Sequence, residues 1–161
     1  MERTISGMMG KGSVNHNTRA FSAKNVDKER SRDNVEFCHK DIKAVYHELF
    51  DEALERYNAK QKRSDRKIDN YYEKIRQGKQ EKLFHEAIFQ IGNMSDCGCG
   101  TPDGERAAAA LKDFAESFAE RNPHLRVFNM VLHMDEATPH LHVDFIPVAT
   151  EQSRGLATRV S

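Results

Sequence analysis

Two runs near the C-terminus, LRVFNMVLHM at 125–134 and HLHVDFIPV at 140–148, alternate in character with a period of two. Successive side chains on a strand point to opposite faces, so each run reads as a strand. The short link DEATP between them suits a hairpin. In the first strand Phe128, Met130 and Leu132 point one way, and Asn129, Val131 and His133 the other. In the second, Leu141, Val143 and Phe145 share a face, and His140, His142 and Asp144 share its opposite. Paired, the strands give one apolar face that must meet a core and one face rich in imidazole.

That second face suggests a metal site. Imidazoles two residues apart on a strand sit roughly 7 Å apart at the backbone and can converge on one ion. His140 and His142 have this spacing, and His133 from the neighbouring strand completes a three-histidine set. Three protein ligands leave coordination positions open, the mark of a catalytic rather than a structural metal. Glu136, in the connecting turn, could ligate, orient a histidine or take a proton. Pro139 fixes the backbone just before His140. A solvated edge strand would more often show Lys, Thr and Glu than clustered imidazoles.

Upstream, residues 3–21 are punctuated by glycine and partly β-branched, which predicts one strand or two short ones. Residues 22–40 read as an extended loop. From Asp41, a candidate cap, Ile42, Val45, Tyr46, Leu49, Ala53, Leu54 and Tyr57 recur at helical spacing. The charged segment 60–80 continues that helix or forms a second, with a break near Ser64–Asp65. Residues 82–92 read as a strand, though a short helix would also suit them, and 93–104 as a loop. A helix over 105–121 carries Ala107, Leu111, Phe114 and Phe118 on its apolar stripe and stops at Asn122–Pro123.

The chain has 161 residues, 38% of them hydrophobic, which suits one domain with a modest core. No apolar run is long enough to span a membrane and the N-terminus lacks a secretory core, so a soluble cytoplasmic protein is expected. Three cysteines fit a reducing compartment. The net charge is zero, but residues 1–82 hold 19 Lys/Arg against 14 Asp/Glu and residues 83–161 hold 6 against 11. The front half is therefore the part suited to lie against phosphates.

HMDEATPHLH resembles the H-x-D-E-x-x-P-H-x-H motif of the Mob/Pre plasmid mobilisation relaxases, within the HUH class of single-strand endonucleases. The segment NHNTRAFSAKNVDKERSRDNV resembles the same family's H-N-x-R motif and the Asn-hydrophobe-Asp stretch after it. Two motifs, in order and far apart, make the resemblance specific. It implies an α+β fold, a central antiparallel sheet carrying the His-hydrophobe-His strand and flanked by helices. It also implies cutting and rejoining of one DNA strand at an origin of transfer through a covalent protein–DNA intermediate. A divalent ion, Mn²⁺ by analogy or else Mg²⁺ or another transition metal, would rest on His133, His140 and His142, with Glu136 in support. His16 matches the proposed nucleophile of the family, with Tyr46, Tyr57, Tyr71 and Tyr72 as rivals in helical settings. Arg19 would clamp the scissile phosphate in bidentate fashion. Asn17 would hold the loop or a DNA oxygen, and Lys24, Arg30 and Arg32 are expected DNA contacts. The chemistry suits these types independently: a cation and Arg19 offset the charge of a phosphodiester, and a neutral imidazole can attack phosphorus.

Other features carry less. Cys97-Gly-Cys99 lacks the second pair that a structural zinc site needs, and a flexible loop is the preferred reading. Lys60, Lys62, Arg63, Arg66 and Lys67 read as a solvated helix face, the alternative being a track for phosphates. Residues 1–161 are expected to form a single relaxase domain, truncated after RGLATRVS. Two competing functions remain open: a DNA-binding module without cleavage, and a metal-dependent hydrolase of a small phosphate ester.

Overall fold

The computed structural model describes residues 3–21 and 23–149; the closing segment RGLATRVS lies outside them. The strands are β1 (Ile5–Met9), β2 (Val35–His39), β3 (His85–Ile91), β4 (Leu125–His133) and β5 (His140–Pro147). They form one sheet in the order β1-β3-β5-β4-β2, with every neighbouring pair antiparallel. β4 and β5 are the expected hairpin, with His133 opposite His140 and Val131 opposite His142. Central placement between β3 and β4 buries every residue of β5.

Each sheet face has its own cover. On one, Met130, Leu132, Leu141, Val143 and Phe145 meet the α5 helix (Pro102–Arg121) through Ala107, Leu111, Ala115 and Phe118. Thr101 starts that helix, its hydroxyl oxygen accepting from the Gly104 N–H at 3.0 Å, and Pro102 occupies the first helical turn. The opposite face is covered at one end by α2 (Ile42–Ala59) and α3 (Tyr71–Gln77), where Val45, Tyr46, Phe50, Tyr71 and Ile75 pack on Phe128 and Ile146. Asp41 caps α2 by accepting from the Ala44 N–H at 3.2 Å. The break expected near Ser64 is a 3₁₀ turn, Ser64–Arg66.

Several expectations need correction. Phe128 does not share a face with Met130 and Leu132. The register shifts between Val127 and Asn129, so Phe128 is the additional residue of a β-bulge and turns to the side of Asn129 and His133. Residues 22–40 are not all loop: β2 pairs with β4 as an edge strand, its own bulge between Glu36 and Cys38. Residues 3–21 supply one strand and a four-residue helix, α1 (Val14–Asn17). The 93–104 loop contains another short helix, α4 (Met94–Cys97), whose Asn93 and Asp96 form a reciprocal cap. No helix among the described residues is long and apolar enough to cross a membrane.

Leu111 is fully buried between α5 and the sheet. Leu111→Ala is expected to cost about 2–5 kcal/mol, whereas loss of one cap in Thr101→Ala costs about 1 kcal/mol. Urea denaturation of the two variants checks the order; equal losses would contradict this account of the core.

Candidate metal centre

The α2–α3 layer stops short of the upper part of its sheet face. There the β5 alternation presents His140, His142 and Asp144, and alternation along β4 beyond its bulge puts Asn129 and His133 on the same side. The three imidazole centroids lie 5.3, 4.7 and 4.9 Å apart for the pairs 133–140, 133–142 and 140–142. One nitrogen from each ring falls within 4.8 Å of the other two.

The remaining nitrogen of each ring is already engaged. His133 Nε2–H donates to the Asn17 carbonyl at 2.7 Å. His140 Nδ1–H donates to the Thr138 carbonyl at 2.8 Å. His142 Nδ1–H donates to Glu86 Oε2 at 3.2 Å. These partners set the tautomers and leave His133 Nδ1, His140 Nε2 and His142 Nε2 with free lone pairs. His133 Nδ1 and His142 Nε2 are buried without any protein partner, a costly state that a cation would relieve. Burial holds His133 down at about 3 and, with the charge of His142, lowers His140, so both are neutral near pH 7. Three oriented imidazoles with converging lone pairs fit a divalent transition-metal ion.

His16 stands above this cluster on α1. Its ring centroid is 5.9 Å from that of His133 and 6.2 Å from that of His142. The Ser13 hydroxyl accepts from the His16 N–H at the helix start. The next residue, Asn17, points the other way, into the sheet. Its amide donates to Glu86 and, at 3.0 Å, to Asp144 Oδ2, while its carbonyl receives His133. Asn17 is 1% exposed, so it cannot reach DNA; of its two expected roles the structure realises only holding the loop. Glu86, opposite Asp144 on β3, also accepts from the Gly12 N–H, and its main-chain carbonyl accepts from Gly10. A side chain at Gly10 would collide with the Glu86 carboxylate.

Arg19 differs most from expectation. It has a left-handed backbone, φ 57°. Its Nε and Nη2 grip Asp135, Nη2 also donates to Glu136 Oε1 at 2.9 Å, and Nη1 donates to the His16 carbonyl at 3.0 Å. The last N–H reaches His16 Nε2 at 3.3 Å. All five donors are engaged, so no free fork faces a phosphate. Asp135, fully buried, further accepts from Ser31 at 2.7 Å and Asn34 at 2.8 Å. Burial opposes its ionisation, but these bonds and Arg19 hold it well below the usual carboxylate range. Glu136 reaches three rings: 3.5 Å to His16 Nε2, 3.9 Å to His133 Nδ1 and 3.7 Å to His140 Nε2.

The other expected residues scatter. Lys24 is exposed. Arg32 is exposed beside Asp33. Arg30 is committed to structure, pairing with Asp27 and donating to the Cys99 carbonyl at 3.2 Å. Cys97 packs in the α5 core rather than in a flexible loop. Tyr46, Tyr57, Tyr71 and Tyr72 all belong to the helical cluster under α2 and α3, leaving His16 beside the metal-ready face. Reading the sequence missed Glu86 and the hub role of Asp135. A lone carboxylate within the apolar run LFHEAIFQI was the available signal for Glu86; for Asp135 the D-E pair drew attention only to its second member.

Opposing protonations meet here. His133 is neutral when folded but takes a proton near 6.5 when unfolded, so acid below that value favours unfolding, and the lowered His140 acts likewise. Asp144 is pushed up to about 7 by burial and by the charge of Glu86, which is itself held down at about 2 by His142 and Asn17 despite burial. An unfolded Asp titrates at about 3.9, so between these values the folded state binds the extra proton and acid favours folding. Asp144→Asn removes that offset. In metal-free protein its urea midpoint is expected to fall more steeply from about pH 7 to about pH 5 than the parent's; parallel profiles would refute the assignment.

Comparisons were made with known proteins. None of the curated proteins matches. Among solved structures, the chain is similar to the MobM relaxase domain (MOBV; Mob_Pre) bound to plasmid pMV158 oriT DNA of 22 nucleotides, with manganese. In one such complex the identity is 22%, coverage is 92% of this chain and 72% of the other, and the TM-score is 0.46. A complex with 22 nucleotides and a 3′-thiophosphate gives 22% identity, the same coverages and a TM-score of 0.49. One with 23 nucleotides gives 20% identity, coverages of 91% and 70%, and a TM-score of 0.47. The plasmid recombination enzyme family matches residues 9–160. With nearly its whole length matched, the chain belongs to the plasmid recombination enzyme (Mob/Pre) family.

Proposed function

We propose that this chain is a relaxase that nicks and rejoins one DNA strand at a plasmid or mobile-element origin of transfer, with His16 as nucleophile. The observation that carries the reading is the edge-on placement of His16 beside His133 and His142 of the three-histidine cluster, with Glu136 within 3.5–3.9 Å of three rings. We take residues 1–161 as one catalytic domain acting on single-stranded DNA in the cytoplasm. His133, His140 and His142 would hold the ion, manganese by analogy with the MobM complexes. When bound, the ion supplies positive charge that polarises a scissile phosphate.

The protein groups do the rest. The Arg19 N–H aimed at His16 Nε2 selects the tautomer with a lone pair on that nitrogen. At 3.3 Å it is also the least firmly held of the Arg19 donors, so it is the one N–H that substrate can divert to a phosphate oxygen. Arg19 then contributes one donor, and its remaining bonds fix Glu136 and the His16 backbone. His16 Nε2 attacks phosphorus; the P–N bond forms as the P–O3′ bond breaks. The ring's Nδ1 proton is lost to solvent and the 3′-oxygen gains one, so protons balance. Glu136 steadies the imidazole while it is cationic. The phosphoramidate keeps the energy needed for the 3′-OH to reverse the step. We retain Lys24 and Arg32 as phosphate contacts, both being exposed near this loop.

The test incubates the protein with labelled origin DNA of its own element and manganese. An SDS-resistant shift is expected that mild acid destroys and alkali spares, as for a phosphoramidate. His16→Ala should abolish it, and His142→Ala should reduce it at least a hundredfold. An undiminished adduct in His16→Ala would rule the nucleophile out. Binding without any adduct would identify a DNA-binding module, and multiple turnover of a small phosphate ester without adduct a hydrolase.

A further inference from the structure

A cleft of about 560 Å³ opens between the 10–12 turn, the end of α3 and the start of β3, with Glu86 in its wall. Its size lies within the roughly 300–1,000 Å³ of ligand pockets. Lys11, Gly12, Arg76, Lys82, Phe84 and Glu86 are among its walls. Lys11 and Lys82 are exposed and have no ion-pair partner among the described residues. Arg76 shares its charge with Glu73, bonded at 2.7 Å. The Glu86 carboxylate is spent on His142, Asn17 and Gly12. With Glu81 also in its wall, the cleft presents three cations against two carboxylates, a small positive excess.

Two features tie it to the reaction site. Glu86 is a wall of the cleft and at the same time the hydrogen-bond acceptor of His142. Gly12, on the rim, precedes His16 by four residues, so its Cα lies within about 14 Å of that of His16 even if the chain were fully extended. Gly12 has a left-handed φ of 76°, and a side chain there would meet the Phe84 ring at 3.0 Å. The rim is thus held as bare backbone beside an aromatic ring. A second cleft, around Arg66, Lys67 and Lys74, is less suited: Asp65, Asp69 and Glu73 balance its cations.

We infer that the cleft walled by Lys11, Lys82 and Glu86 receives the nucleotides adjoining the scissile phosphate, with the two lysines on backbone phosphates. The inference rests on the single-stranded DNA reading above. It gives the strand a path over the β1–β3 side of the site.

The experiment measures fluorescence anisotropy of a fluorescein-labelled single-stranded origin oligonucleotide in chelator, so that neither ion nor cleavage is needed. The double variant Lys11→Glu/Lys82→Glu is compared with Lys60→Glu/Lys62→Glu, which changes the same charge elsewhere, after circular dichroism shows both folded. Affinity of the cleft variant is expected to fall at least tenfold. Its log–log salt slope should shrink by about 1.4, the value for two lost phosphate contacts on a single strand. The control should retain affinity within about threefold of the parent and its full salt slope. Normal binding by the cleft variant, or an equal loss in the control, overturns the cleft assignment while leaving the nicking reaction standing. Failure of the parent protein to bind the oligonucleotide would overturn the DNA reading and the cleft with it. Lys82→p-benzoylphenylalanine adds a positional readout: photocrosslinks should fall on the first few nucleotides beside the nick, and crosslinks only to distant ones would also overturn the inference.

Discussion

Asn17 is buried where four elements meet, and the geometry of the site hangs on its few hydrogen bonds. Its amide joins α1 to Glu86 on β3 and Asp144 on β5, and its carbonyl takes the proton of His133 on β4. A buried amide left unpaired costs roughly 1–3 kcal/mol per group, so α1 cannot lift from the sheet without exposing several unmet partners at once. Because Asn17 points inward, its neighbour His16 is carried over the imidazole face. Fixing the orientation of the His133 ring and the location of His16 is one act of this residue.

Charge is organised around the same peg. Four carboxylates, Glu86, Asp135, Glu136 and Asp144, lie in or beside the cluster, with Arg19 as the protein cation nearest them. Arg19 neutralises Asp135, and burial with the charge of Glu86 pushes Asp144 up to about 7. Glu86 and Glu136 remain as net negative groups, which a doubly charged ion would balance. The carboxylates beside three convergent imidazoles favour a divalent cation there, and with one bound the site would repel a phosphodiester less. The occupied fork of Arg19 belongs to this logic. It stabilises the carboxylates before substrate arrives and can yield a single N–H when it does.

Local pattern carried some of this and distance hid the rest. The hairpin, the three histidines and Glu136 lie within a few residues of one another, and period-two alternation places their side chains directly. His16 was legible only through motif resemblance, since its spacing to the hairpin says nothing of contact. The sheet order could not be read, because β1, β2 and β3 join the hairpin through pairings across long stretches of chain. Nor could the Phe128 bulge, where a register shift overrides strict alternation. Edge strand β2, VEFCH, is short and half polar, so its pattern does not stand out from loop. Glu86 and Asp135 escaped for a common reason: what defines them is a partner 56 to 116 residues away.

A division of labour follows from where the three imidazoles and His16 sit. The three imidazoles project from buried central strands, whose rings are each fixed by a second hydrogen bond. His16 instead rides a single turn of helix behind an edge strand whose five residues are all exposed. Its tethers are local: the Ser13 cap, Asn17 below and Arg19 beside it. A nucleophile that must form a bond to phosphorus and later release it has to move relative to the groups that stabilise charge. Under the proposed function, the three imidazoles on the rigid sheet and His16 on a separate short helix would allow that movement. Because the Asn17 carbonyl also holds the His133 ring, weakening the peg would loosen His16 and that ring together.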